Sequence, residues 1–522
     1  MRNNQSNFIG KLVMLVVLLF GVAACSSESN ENVNGGSEEK VKSDESAPQK
    51  GGELVIAYEA DASSYDPIKA TNTINHPLLI PVYDTLIAYT RELEPKGGLA
   101  ESWDIPDEKT IILMLREGIL FHDGTPFNAE AVKFNIERAN SEDSLVSDLA
   151  SIESVEVVDE KTVKLHLEKP DSSIILALAD VGGMMVSPTA VQESGEDFSQ
   201  KPVGTGPYKL VHHVPNGEVV YEANEAYWQE GQPYLDKMTI KIMADENTRI
   251  NALKSGEVHY AENISQTNVA SLKNDSNIVL KEIMPLRFEN IFLNTSISPV
   301  DNKAVRLAIL HGINREGLIQ ALNFGNGEPA SQLFPLEYWA ADASMKIDYD
   351  PEKSKQLLKE AGIDNVSFEL IHYTPAYEQR LAEAIKSQLS EVGIQVDLQP
   401  MEAQAAIAKY GELKSPSILT RWNGRPDPLM TMKAIFSRYG YYNKGGNTTD
   451  EIENLIAEAA ASYDRGELAK LYGEISKKAL LDEAMIIPLY FSPRVSAMNQ
   501  SVKGFEPNMQ GKPFYTTIWK EN

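Results

Sequence analysis

The sequence has little of the chemistry that marks most hydrolases and ATPases. Cys25 is the only cysteine among 522 residues, so the chain can form no intramolecular disulfide. The eight histidines form no His-Glu-x-x-His motif, and only His212 and His213 are close in sequence, in what we predict to be a loop. A Gly-x-Ser-x-Gly elbow and a Gly-Lys-Ser/Thr phosphate loop are also absent. We therefore expect no catalysis, no ATP hydrolysis and no cofactor.

Basic residues are few. The chain has 48 Lys and Arg against 75 Asp and Glu, which gives a formal net charge of −27 at pH 7. Such a surface repels nucleic-acid phosphates, and no cluster of basic residues compensates for it. The charge favours solubility, argues against nucleic-acid binding and says little about the fold.

Long apolar runs are missing too. The run Leu12–Phe20 is too short to span a bilayer, which takes about 20 residues. It follows Arg2 and Lys11 and precedes Val22–Ala24, the order of a secretory signal peptide, and Val22–Cys25 looks like a bacterial lipobox. We predict that residues 1–24 are a signal peptide and that Cys25 is diacylated. The alternative is a cleaved signal with an incidental cysteine.

Residues 26–50 contain no aromatic residue and only two valines. Such a segment cannot bury enough apolar surface to offset the entropy of ordering, so residues 25–50 should form a lipidated, disordered tether. The chain from residue 51 onward is long enough for two sizeable lobes.

Strand and helix patterns alternate along this part of the chain. Period-2 alternation predicts strands, whereas helices are clearest in the second half, where caps and apolar stripes coincide. Asp301 and Asn314 can each cap a helix, and Asp350 can cap a third that starts at Pro351 and ends before Gly362. No period of 20–50 residues repeats, which excludes a solenoid. Alternation of this kind predicts α/β layers. The clearest strand patterns are 50–58, 81–89, 110–116, 154–158, 162–167, 238–243, 394–398 and 484–489.

Several segments, in order, resemble the peptide/nickel family of ABC solute-binding proteins, family 5. The sharpest likeness lies in one region, and further likenesses follow at intervals across some 400 residues. The segments are 99–104, 115–118, 121–127 and 129–132, then 204–208, 224–228, 255–259, 302–315, 349–352 and 422–428.

The resemblance implies a bilobal α/β fold of the periplasmic-binding-protein type, with an extra subdomain in the first lobe and a ligand cleft between lobes. The first lobe would span 51–289, with its subdomain at about 99–201. The second would span 290–488, and 489–522 would return to the first. The implied function is capture of a peptide or peptide-like solute by a monomer, lipid-anchored on the extracytoplasmic face of the cell membrane. The implied partners are an ABC permease and its ATPase subunits.

The segment 422–428 is the best candidate ligand site. In peptide-binding relatives, the equivalent segment faces the cleft, and an aspartate three residues after the tryptophan pairs with the peptide ammonium. This chain has Arg425 at that position, after Trp422, and a guanidinium can hold a carboxylate bidentately. Asp427 either supplies the missing negative charge or caps the next helix. The alternative for Arg421 and Arg425 is that they are surface charges.

Other candidates come from segments that line the cleft in relatives. Arg287 lies where the first crossover strand enters the second lobe, and is either cleft-facing or a solvated edge-strand residue. The remaining candidates are more often core residues than ligand contacts. They are Tyr65, Asn75, His76, Trp103, Tyr377 and Tyr442.

The main alternative is a different ligand class within the same family. Some members bind nickel or another metal through a small chelator, whose carboxylates are held by arginines with one or two histidines nearby. Arg425, Arg287 and His76 allow this, whereas direct metal binding lacks the necessary ligand cluster. A receptor or chaperone on the same fold also remains open.

Overall fold

The computed structural model describes residues 47–521. Cys25, the signal peptide and most of the tether lie outside these residues. The strands in chain order are β1 Glu53–Tyr58, β2 Ile87–Tyr89, β3 Pro95–Gly97, β4 Ala100–Asp107, β5 Thr110–Leu115, β6 Ile152–Asp159, β7 Thr162–Leu167, β8 Tyr208–Val214, β9 Glu218–Ala223, β10 Lys237–Ile242, β11 Tyr260–Ile264, β12 Ile278–Ile283, β13 Phe288–Leu293, β14 Glu328–Pro329, β15 Val366–Tyr373, β16 Ile394–Met401, β17 Ser417–Trp422, β18 Ile486–Phe491, β19 Arg494–Asn499, β20 Val502–Lys503 and β21 Trp519–Lys520.

Helices lie mostly in the second half of the chain, as the sequence predicts. They are α1 His76–Leu79, α2 Ala129–Ala139, α3 Ile174–Ala177, α4 Pro188–Ser194, α5 Glu246–Ser255, α6 Gln266–Leu272, α7 Lys303–Gly312, α8 Arg315–Asn323, α9 Pro351–Glu360, α10 Ala376–Glu391, α11 Ala403–Gly411, α12 Pro428–Phe436, α13 Asp450–Ala461 and α14 Arg465–Ser476.

Three larger sheets organise these elements, and β2-β3 and β20-β21 form two further two-stranded sheets. A seven-stranded sheet, in the order β12-β19-β11-β1-β10-β9-β8, forms the centre of what we call the first lobe. A six-stranded sheet, β14-β18-β13-β17-β15-β16, forms the centre of the second lobe. A four-stranded antiparallel sheet, β4-β5-β7-β6, forms a subdomain within the first-lobe sequence.

The chain passes between the two large sheets twice. It leaves β12 and enters β13 through residues 284–287, and it leaves β18 and enters β19 through residues 492–493. The two crossovers run side by side, because β12 pairs with β19 and β13 pairs with β18. The strands therefore place 288–289 and 489–491 in the second sheet, whereas the sequence assigned them to the first lobe and to the C-terminal return. The chain passes directly from one sheet to the next in extended conformation, so no local sequence pattern shows where the sheet changes.

Local sequence patterns predict where several helices begin. Asn314 and Asp350 cap α8 and α9 as predicted, each accepting a backbone N–H bond of 2.8 Å. The prediction of Asp301 as a cap is wrong by one residue, since Asn302 accepts the N–H of Ala304. The segment 81–89 forms a strand only at its end, in β2.

The loop predicted for His212 and His213 is also wrong, because both lie in β8. This strand is at the edge of the seven-stranded sheet, where one side remains open to solvent and polar residues are tolerated. His213 Nε2 lies 2.8 Å from Asp61 Oδ2, which satisfies it locally.

The hydrophobic core is continuous between the subdomain and the second lobe. Leu113 and Val132 of the subdomain belong to the same buried cluster as Leu429 and Tyr472 of the second lobe. The six-stranded and seven-stranded sheets have further cores of their own. No helix within residues 47–521 is long and apolar enough to cross a membrane.

Candidate functional site

The loop 422–427 is held firmly against the first crossover. Gly424 has φ of +77°, and a Cβ added there would lie 2.6 Å from Cβ of Leu286, so both conformation and space require glycine. Pro426 disfavours a helical conformation at Arg425. Asp427 then caps α12, accepting the N–H of Leu429 at 2.7 Å. The loop therefore has a defined path between β17 and α12.

Arg425 reaches across the lobe boundary to Asp148 in the subdomain. Its Nη1 lies 3.7 Å from Asp148 Oδ2, and the two side chains are 25% and 28% exposed. At this distance the contact is an ion pair without a hydrogen bond. Neither side chain forms a hydrogen bond with another residue of the part of the chain that the structure describes. Burial raises the pKa of Asp148, and the Arg425 charge opposes that shift.

Two tighter ion pairs flank this loose one. Lys512 Nζ donates to Asp180 Oδ1 at 2.6 Å, with both side chains about 6% exposed. Lys433 Nζ donates to Asp171 Oδ2 at 2.7 Å. Burial alone would raise the pKa of Asp180, but the nearby charge of Lys512 outweighs it and holds that pKa well below its usual range. Both aspartates are therefore ionised and already paired.

His76 lies beside the Lys512–Asp180 pair. Its Nδ1 is 3.6 Å from Asp180 Oδ1, the residue is 1% exposed, and neither ring nitrogen has a hydrogen-bond partner among residues 47–521. Burial, then the cations of Lys512 and Arg425, lower its pKa to about 3. The imidazole is therefore neutral at physiological pH.

Aromatic side chains pack next to these charged residues. The ring of Trp422 meets Tyr442 edge-on, with centroids 5.2 Å apart, and Tyr442 stacks on Phe292 at 4.8 Å. Burial raises the pKa of Tyr442, and the charge of Arg425 partly offsets that rise. The buried Nε1 of Trp422 has no acceptor within the described residues.

A second charged group surrounds the first crossover. Arg421 bonds Glu289 at 2.7 Å and also pairs with Glu378, and its guanidinium lies over the ring of Tyr377. Arg287 is half-buried and forms no hydrogen bond or ion pair with another described residue. Burial and the neighbouring cation Arg421 lower its pKa to about 10, so it remains charged at neutral pH.

The structure thus brings the predicted site residues into two groups. The first, which we call the interlobe group, surrounds the Arg425–Asp148 and Lys512–Asp180 pairs and includes the predicted residues Arg425, Trp422, Tyr442 and His76. The second lies at the first crossover and contains Arg287, Arg421 and Tyr377. Asp427 lies beside the first group and caps α12, which is one of the two roles that the sequence allows for it.

Tyr65, Asn75 and Trp103 belong to neither group. The ring of Tyr65 lies in the first-lobe core, edge-on to His213 with centroids 5.2 Å apart. Asn75 is buried and accepts the N–H of Ser63 at 3.0 Å. Trp103 lies on β4, an edge strand of the subdomain sheet.

The sequence analysis did not predict three charged residues of the interlobe group, which are Asp148, Asp180 and Lys512. The sequence does contain a signal for Asp180, because it is the only charged residue in the apolar run 174–186. A single charge in such a run must be buried and paired. Asp148 and Lys512 lie in polar segments, where no comparable sequence signal indicates that they are buried.

A metal site made by the protein alone is not found within residues 47–521, where no group of three or more potential ligands converges. What the interlobe group offers instead is a set of charged and neutral polar side chains, with both hydrogen-bond donors and acceptors. It suits a small polar organic ligand better than a bare metal ion.

Comparison with known proteins identifies the family. The family model "Bacterial extracellular solute-binding proteins, family 5 Middle" matches residues 94–443. The glutathione-binding protein GsiB of Escherichia coli strain K12 is 31% identical over 475 residues, covering 87% of this chain and 91% of GsiB.

Solved structures agree with this assignment. DppA from Helicobacter pylori, in complex with the peptide STSA, has a TM-score of 0.81 at 25% identity, covering 91% of this chain and 99% of DppA. NikZ from Campylobacter jejuni, in complex with Ni(L-His), shares the fold with a TM-score of 0.78 at 24% identity, covering 90% and 99%. The chain belongs to family 5 of the bacterial extracellular solute-binding proteins and has their bilobal α/β fold.

Proposed function

We propose that this protein is the binding component of an ABC importer and that it captures a peptide-like solute between its two lobes. The observation that carries the proposal is the pair of half-buried arginines, Arg425 and Arg287, whose guanidinium groups have no hydrogen bond within the described chain. A half-buried guanidinium costs free energy unless its donors find acceptors. A ligand placed between the lobes would supply them. GsiB and DppA, which bind glutathione and a peptide, support this ligand class.

The charge of Arg425 indicates which ligand end it receives. The family resemblance of 422–428 implies an aspartate at this position for a peptide ammonium, and a guanidinium cannot take that role. It can hold a carboxylate with two parallel hydrogen bonds. We therefore propose a solute with at least one carboxylate, such as an acidic peptide or a glutathione-like tripeptide.

A metal chelate is the second candidate, and His76 is the observation that favours it. Its ring is neutral and both of its nitrogens lack partners among the described residues. Because no set of protein ligands converges there, the metal would have to arrive with its own carboxylate-bearing chelator. NikZ, which binds Ni(L-His), shows that the fold accommodates such complexes.

Our proposal for the location of the protein rests on the sequence alone. We propose that Cys25 is diacylated and holds the protein on the extracytoplasmic face of the cell membrane, with residues 26–50 as a tether. There the protein would act as a monomer and deliver its solute to a permease driven by separate ATPase subunits.

Mass spectrometry of small molecules released from protein purified without refolding tests the ligand class. We expect a peptide or peptide-like molecule with a free carboxylate. Recovery of a metal with a polycarboxylate would favour the second candidate. If the protein releases nothing and no peptide, amino acid or chelate raises its melting temperature, the proposed function is wrong.

A further inference from the structure

We propose that Asp148 and Arg425 together bind an α-amino-acid head group, in which the ammonium and the carboxylate share one carbon. The ammonium would bind Asp148 and the carboxylate Arg425. This inference deepens the proposed function and rests on it. It names the part of the solute that these two side chains recognise and gives Asp148, on the first lobe, a role in specificity.

The distance between the two side chains selects this head group. Arg425 Nη1 and Asp148 Oδ2 are 3.7 Å apart, so the ligand charges that complement them must also be close together. In an α-amino acid, the bond lengths around Cα place the nitrogen and a carboxylate oxygen roughly 3 Å apart. The two ends of an extended dipeptide are separated by roughly 6–7 Å, which is too far for both to reach the pair.

Charge compensation favours the same conclusion. The Arg425–Asp148 pair is neutral as a whole, and so is a zwitterionic head group. A simple carboxylate bound at Arg425 would lie beside the Asp148 charge and leave it unpaired in a partly buried site, which is costly. An adjacent ammonium removes that cost, because four alternating charges then neutralise one another.

Of the four buried or half-buried aspartates described in this region, Asp148 is the one whose oxygens accept no hydrogen bond from the described chain. Asp180 and Asp171 bind lysines at 2.6 and 2.7 Å, and Asp427 accepts the N–H of Leu429. Asp148 accepts no hydrogen bond from the rest of the described chain, and its contact with Arg425 is long. An ammonium would supply the short, charge-assisted bonds that it lacks.

The two side chains lie on different lobes, which links recognition to closure. Asp148 is in the subdomain of the first lobe, between α2 and β6, and Arg425 is in the second lobe, between β17 and α12. A head group bound to both would connect the lobes through its own charges. A ligand with only one of the two charges would bind one lobe and connect them less well.

Isomeric tripeptides test the proposal in the full-length protein by calorimetry. Glutathione is γ-linked, so its ammonium and carboxylate share a carbon. The α-linked isomer Glu-Cys-Gly has the same composition and charge, but its α-carboxyl group is used in the peptide bond. We expect glutathione to bind at least tenfold more tightly than this isomer and than N-acetylglutathione. Equal affinities for the three would overturn the head-group proposal.

The variant Asp148→Asn assigns the ammonium to its partner. It should weaken glutathione binding at least tenfold, whereas the affinity for N-acetylglutathione should stay the same or rise, because that ligand no longer meets an unpaired carboxylate. Asp143→Asn, an exposed residue on the same segment, is the matched control and should change neither. An equal effect of Asp148→Asn on both ligands would exclude the role. If Asp148→Asn does not fold, the ratio of wild-type affinities for glutathione and N-acetylglutathione still decides.

The outcomes separate this proposal from the function on which it rests. If ordinary α-linked peptides bind and γ-linked probes do not, the head-group proposal fails and peptide capture stands. If no amino acid or peptide of either linkage binds, both fail.

Discussion

Nζ of Lys433 donates a 2.7 Å hydrogen bond to Oδ2 of Asp171 and so joins helix α12 of the second lobe to the segment before α3 in the first. Beside it, the backbone N–H of Ser172 donates to the carbonyl of Ala460, and its hydroxyl donates to the carbonyl of Ala459. Asp171 is 2% exposed, and it also accepts bonds from Ser151 and Ser173. These contacts connect the two lobes directly, through side chains and backbone of both.

The first prediction concerns this contact. Lys433→Met should lower the free energy of unfolding by about 1–3 kcal/mol, because it leaves the buried Asp171 carboxylate without its cation. Lys433 is 35% exposed, so water can replace part of the lost interaction. The radius of gyration of the ligand-free protein in solution scattering should increase. Lys470→Met, at an exposed position on α14, is the control; an unchanged radius in Lys433→Met would show that the pair does not hold the lobes together.

The second prediction is that ligand binding favours the closed state. Addition of the identified solute should reduce the radius of gyration and raise the melting temperature, because a ligand that binds only the native state stabilises it by mass action. At a hundredfold excess over the dissociation constant, the gain should be about 2.7 kcal/mol. Tight binding with an unchanged radius in Lys433→Met, whose lobes should start further apart, would count against closure.

The third prediction concerns pH and His76. Its folded pKa of about 3 lies below the ordinary value of 6.5, so the unfolded chain takes up a proton that the folded protein does not. His76 should therefore cost stability as the pH falls from about 6.5 towards 3, by about 1.4 kcal/mol per pH unit within that window. Burial is the largest cause of this low pKa; the cations of Lys512 and Arg425 lower it further, and the carboxylate of Asp180 opposes them.

His76→Asn removes this titration. Between pH 7 and pH 4.5 its melting temperature should fall less than that of the wild type. His212→Asn, at an exposed position on β8, should follow the wild type. Parallel curves for wild type and His76→Asn would mean that the buried imidazole takes up its proton without loss of stability.

The sequence predicted local structure and the family, but not the partners of charged residues. Asp350, Pro351 and Gly362 define α9 because caps and breakers act on the backbone within a few residues. Arg425 was predicted as a site residue because it follows Trp422 in a segment that resembles the family. Its contact with Asp148 depends on how two lobes pack, and no local pattern records that. Asp180 lies between these cases, since its apolar neighbours predict burial but do not identify Lys512 as its partner.

The fourth prediction tests the membrane anchor. Cys25→Ala should abolish the lipid-dependent mass increase at the mature N-terminus and release the protein from the membrane fraction. Two acyl chains anchor stably, whereas the acidic protein surface offers no electrostatic attraction to anionic lipids. Wild-type protein without a lipid-dependent mass at Cys25 would show that the cysteine is incidental.

The last prediction concerns Arg425 and the ligand carboxylate. Arg425→Ala should weaken binding of the native solute by roughly 2–5 kcal/mol, the usual effect of removing one partner from a buried charge pair. Part of this loss arises because Asp148 then has neither its ion-pair partner nor a neutral environment. Arg425→Asp should weaken binding further, since it places two carboxylates together, and it could restore binding of simple peptides through their ammonium groups. Arg380→Ala, at an exposed position on α10, is the control. Affinity of Arg425→Ala within twofold of wild type would place Arg425 outside the binding site, because no contact with a desolvated carboxylate is worth so little.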